Sequence, residues 1–116
     1  MIINFEEITY ELNDEEKKIL HLLINGFKNY TQQNPIKEPE IVSRFNERTG
    51  LKLSGVRLRK LVNYIRSNGL LPLVATSKGY FVSYDKEVIY SQIKSLRQRA
   101  TSINNCADGL EKFIKL

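Results

Sequence analysis

Tryptophan is absent, and cysteine, histidine and methionine each occur once. The lone Cys106 excludes an internal disulfide and a thiolate cluster for zinc. It fits a reducing compartment. His21 has no second histidine with which to form a metal pair or a proton relay. It sits among Leu20, Leu22 and Leu23, where a partly buried or surface role is the simpler expectation. No apolar run approaches the ~20 residues that cross a bilayer. The first residues, MIINFEEITYELNDEE, lack the basic start and apolar centre of a signal peptide. A cytoplasmic protein is expected, with no membrane partner. No glycine-rich phosphate loop occurs, and no base stands near Cys106 in sequence to activate it. Glu15 and Glu16 suit helix capping better than acid–base work. Neither an enzyme nor a cofactor or metal is expected.

The most informative scarcity is of acid. From Arg48 to Tyr84 there is no Asp or Glu, while Arg48, Lys52, Arg57, Arg59, Lys60, Arg66 and Lys78 supply seven positive charges. Residues 1–50 carry six basic and nine acidic groups, whereas residues 51–116 carry twelve and four. This asymmetry points to an acidic partner for the second half, nucleic acid ahead of an acidic protein or membrane face.

At 116 residues the chain can bury one modest core. Residues 2–12 suit a short strand or extended lead-in, with Ile8, Tyr10 and Leu12 alternating. Asn13 and Glu16 form a capping-box pattern for a first helix reaching about Tyr30. Ile19, Leu22, Leu23 and Phe27 share one face of it. Asn34-Pro35 marks a turn. A second helix spans about Glu38–Arg48, with Pro39 at its start and Ile41, Val42 and Phe45 as its apolar side. A third opens at Ser54 and closes at Gly69. Its inner face holds Leu58, Leu61, Val62 and Ile65. The opposite face holds Val56, Lys60, Asn63 and Ser67, with Arg57 and Tyr64 on one flank and Arg59 and Arg66 on the other. Leu71–Ala75 and Tyr80–Tyr84 read as strands of a hairpin whose turn is Thr76–Gly79. Pro72 marks an edge strand or a strand's first residue.

Asp85 caps a last helix expected to run towards Lys115. Ile89, Leu96, Ile103 and Leu110 are spaced by seven, and so are Ile93, Ala100, Ala107 and Ile114. Interleaved, they form a heptad seam. The seam suits a dimerisation coiled coil through residues 85–116; its alanines would equally suit packing on the first helix.

Three helices followed by a hairpin give the order of a winged helix-turn-helix: mainly α (α+β), with a two-stranded wing and a long C-terminal helix. Residues 1–84 would form that domain. The third helix would enter the major groove of double-stranded DNA. Ser54 and the N–H groups of residues 55–57 would hold a phosphate. Arg57, Lys60, Asn63 and Tyr64 would reach base edges or backbone, with Arg59 beside them. Ser77 and Lys78 would make wing contacts.

The run SGVRLRKLVNYIRSNGLLPLVATSKGYFVSYDKEVIYSQIKSLRQRATSI resembles a group of short winged-helix proteins encoded by phages and prophages. These have a helix with a basic start, then G-x-P-hydrophobic, an S-K-G-Y wing turn and a long C-terminal helix. The match covers roughly residues 50–110, and Gly69-Leu70-Leu71-Pro72 carries one more apolar residue than the usual spacing. The resemblance implies DNA binding in replication, recombination or gene control, and no chemistry. The alternative is a protein-interaction module that captures a host replication or transcription protein.

Overall fold

The structure, a computed structural model, describes residues 11–115. They contain four helices and one two-stranded antiparallel sheet. The lead-in expected over residues 2–12 lies outside the described residues except for its last two, of which Leu12 is buried. The chain divides into two units, residues 1–83 and 84–116.

In the first unit, helix α1 (Asp14–Phe27) begins with the expected capping box. The Asn13 side chain accepts the Glu16 N–H at 2.8 Å, and the Glu16 side chain accepts the Asn13 N–H at 3.1 Å. Ile19, Leu23 and Phe27 enter the core at four-residue intervals. The helix stops three residues before Tyr30, because the N–H groups of Asn29 and Tyr30 turn back to the carbonyls of Gly26 and Phe27.

Helix α2 (Glu38–Thr49) and helix α3 (Gly55–Ser67) are joined by a short turn. Gly50 ends α2 at φ 73°, in the left-handed region that glycine tolerates. The Asn46 amide then clamps the turn, accepting the Leu53 N–H at 2.7 Å and donating to its carbonyl at 2.9 Å. Ser54 caps α3, as its hydroxyl accepts the Arg57 N–H at 3.1 Å. Leu58, Leu61, Val62 and Ile65 are buried, the face expected from their spacing.

Strands β1 (Leu73–Thr76) and β2 (Gly79–Val82) pair with Leu73 opposite Val82 and Thr76 opposite Gly79. Both are shorter than their sequence patterns suggest, and only Ser77 and Lys78 lie between them. Pro72 stands just outside β1, where its carbonyl accepts the Ser83 N–H at 3.1 Å. The other edge of β2 is also used. Ile36 and Tyr80 exchange two backbone hydrogen bonds of 2.9 and 2.8 Å, and the Tyr30 carbonyl accepts the Val82 N–H. The α1–α2 connector is thereby stitched to the hairpin. This contact demands glycine at position 79: a Cβ there would lie 2.5 Å from the Ile36 carbonyl oxygen, and φ is +128°.

The second unit is helix α4 (Lys86–Glu111), 26 residues long and capped by Asp85, whose carboxylate accepts the Glu87 N–H at 2.9 Å. It ends four residues before Lys115, passing into turns through Ile114. None of its residues is buried. Along the seam Ile89 is half-buried, Ile93 and Leu96 are 38% and 37% exposed, and Ala100, Ile103, Ala107, Leu110 and Ile114 are exposed.

Candidate nucleic-acid interface

The acid-free stretch of sequence does not make an acid-free surface. Carboxylates from α1 and from the start of α2 meet the cations of α3. Arg57 Nη1 lies 2.8 Å from Glu15 and donates also to the Lys52 carbonyl. Lys60 Nζ donates to both oxygens of Glu16 at 3.0 Å. Arg59 Nη1 lies 2.6 Å from Glu38. The carboxylate of Glu38 also crowds the first residue of α3: a Cβ on Gly55 would meet its Oε1 at 2.9 Å.

These pairs differ in kind. The Arg59–Glu38 pair is open to solvent, with 57% of the arginine side chain exposed. Such a pair contributes about 0–1 kcal/mol. Glu16 is only 5% exposed. Burial pushes its carboxyl pKa up, but the hydrogen bonds from Lys60 and from the Asn13 N–H, with the charges of Lys60 and Arg57, outweigh that and hold it below its ordinary value. Lys60 and Arg57 therefore bind α3 to α1 more firmly than they face outward.

The cations of α3 thus fall on two flanks, and Lys60, which its spacing places on the outward face, is drawn instead to the α1 side by Glu16. Arg57 and Lys60 turn to α1. Arg59 and Arg66 lie on the flank beside the hairpin, where both act on Tyr80 of β2. Burial raises the Tyr80 phenol pKa, Glu38 raises it further, and Arg66 and Arg59 oppose the rise. Helix α3 packs against β1, and this flank lies within electrostatic reach of the hairpin at Tyr80. At the hairpin tip Ser77 and Lys78 are exposed, and the Lys78 N–H is held by the Thr76 hydroxyl at 3.2 Å.

Asn63 is half-exposed and Tyr64 is half-buried, packed against the core. Val56 is 71% exposed. Ser54 is exposed, and its oxygen is occupied by capping. The sequence reading overlooked Glu15, Glu16 and Glu38 as partners of these cations. No signal in the sequence pointed to them, since carboxylates in a first helical turn are already favoured there by the helix dipole.

His21 and Cys106 are exposed. Among the described residues no group of His, Cys, Asp and Glu could hold a metal ion, and no helix is long and apolar enough to cross a membrane. No family model, curated protein or solved structure matches the chain.

Proposed function

We propose that this protein is a non-catalytic double-stranded DNA-binding protein of winged helix-turn-helix type, phage or prophage derived, acting in gene control or in DNA replication or recombination. The observation that carries the reading is that α3, whose Arg59–Arg66 flank acts on Tyr80, packs against the hairpin whose exposed tip bears Ser77 and Lys78. Two further features support it. Helices α2 and α3 are joined by a clamped turn, and the hairpin is bonded back to the connector at Ile36.

In this reading α3 enters the major groove, where Asn63 can pair with adenine. Arg59 exchanges Glu38 for a phosphate, which costs little for an exposed pair. Lys78 and Ser77 take a second phosphate. Arg57 and Lys60 act as positioning residues: if Lys60 left for DNA it would strand the buried Glu16 carboxylate. The same reading includes a homodimer through α4, which would match a two-fold symmetric site.

Gel shifts at two salt concentrations test the proposal. Two phosphate contacts per copy predict a logarithmic salt slope of about 1.8 for each copy bound. Glu38→Gln, which frees Arg59, should tighten binding. Tight binding indifferent to salt would count against it.

A second reading, capture of a host protein, draws on the carboxylates already seated on α3. It draws also on an apolar cavity of about 250 Å³ floored by Leu23, Phe27, Ile41 and Phe45 and rimmed by Arg44 and Arg48. Capture that survives nuclease, without intrinsic DNA affinity, would favour it.

A further inference from the structure

We infer that α4 pairs with α4 of a second copy as an antiparallel two-stranded coil, which deepens the homodimer reading and rests on it. The argument is one of shape and charge.

A 26-residue helix with no buried residue and a regular 4–3 apolar seam has an unpaired face. Its seam is uneven, with large residues at Ile89, Ile93, Leu96, Ile103 and Leu110 and small ones at Ala100 and Ala107. In a parallel pair each residue meets its own copy. Ala100 and Ala107 would then make thin layers between thick ones, and the helix spacing could satisfy only one kind. Reversed about a point between Ala100 and Ile103, the seam complements itself. Ala100 meets Ile103 of the second copy, and Ala107 meets Leu96. The four central layers then all join one large and one small side chain, as close packing requires. Ile93 meets Leu110 beyond them, and Ile89 meets Ile114 at the ends, where Ile114 lies past the regular helix. A seam that is its own complement under a two-fold axis selects a second copy as occupant.

Charge agrees. Residues 86–100 carry four basic groups and one acidic, whereas residues 101–115 carry two of each. A parallel pair sets the two cationic halves side by side. The antiparallel pair sets each cationic half against a neutral one. At the flanking positions Arg97 faces Asn104 and Arg99 faces Cys106, so no like charges oppose.

The test uses the full chain. Light scattering should give twice the 13.5 kDa chain mass, and Leu96→Glu should return it to one chain. In a Cys106→Ser background, Ile93→Cys and Leu110→Cys proteins of distinguishable size are oxidised separately and mixed. The expected product is the mixed disulfide, with little self-linking of either. Both substituted side chains are exposed, so neither change weakens a core. Self-linking of Ile93→Cys would overturn the orientation while leaving the dimer. A doubled mass with neither a mixed disulfide nor self-linking of either variant would overturn pairing through α4. A single-chain mass at high concentration would retire the homodimer itself, leaving the DNA-binding test untouched.

Discussion

Glu16 shows how much one side chain can be asked to do. It accepts the Asn13 N–H, two bonds from Lys60 and the charge of Arg57, all while nearly buried. Because its folded pKa is lowered from the ordinary 4.5, its contribution to stability is fully present above the unfolded value. That contribution is lost as pH falls through the folded one. Chemical denaturation between pH 6 and 3 should therefore show a fall (roughly the ordinary carboxylate range) that Glu16→Gln flattens. Lys60→Met should cost about 1–3 kcal/mol by leaving the carboxylate short of partners, and it should move the acid-sensitive region to higher pH. Gly79 is the second such position. Gly79→Ala would press a methyl into the Ile36 carbonyl at a backbone angle that other residues resist. A loss of roughly 1–3 kcal/mol is expected from the strain alone, readable as a lower denaturation midpoint.

At the scale of elements, the proposed DNA-binding role would divide the cations of α3 and the hairpin between binding and holding the domain together. Arg59→Ala and Lys78→Ala should each lower the salt slope by about 0.9. Arg57→Ala should act mainly on stability, by weakening the contact between α1 and α3. The division was only half visible in the sequence. Helix starts were legible because Asn13, Ser54 and Asp85 are capping residues whose effect is local. The inner face of α3 was legible from period alone. The strand ends were not, since Leu71, Pro72, Ser83 and Tyr84 have strand-like composition but no rung partner in the ladder. Nor were the ion pairs, because Lys60 and Glu16 stand 44 residues apart and nothing in a linear tally of charge brings them together. The Ile36–Tyr80 rung was hidden for the same reason.

For the molecule as a whole, the proposed pairing of α4 would set how many copies act together. Leu96→Glu should leave the melting of residues 11–83 unchanged, since Leu96 belongs to no part of that core. It should convert a cooperative DNA titration into a simple one. The direction of pairing sets where the chains emerge. At about 1.5 Å per residue, reversed helices would begin roughly 45 Å apart, whereas parallel ones would begin side by side. Footprints of a bound dimer should separate the two.

That α4 buries nothing of its own has one more result. A lone helix is marginal in water, held by little beyond its own backbone. Diluting the protein should therefore unravel this segment first, while the hairpin-bearing core keeps its ellipticity. The chain would in effect sense its own abundance, ordering its tail only where enough neighbours are present to meet it.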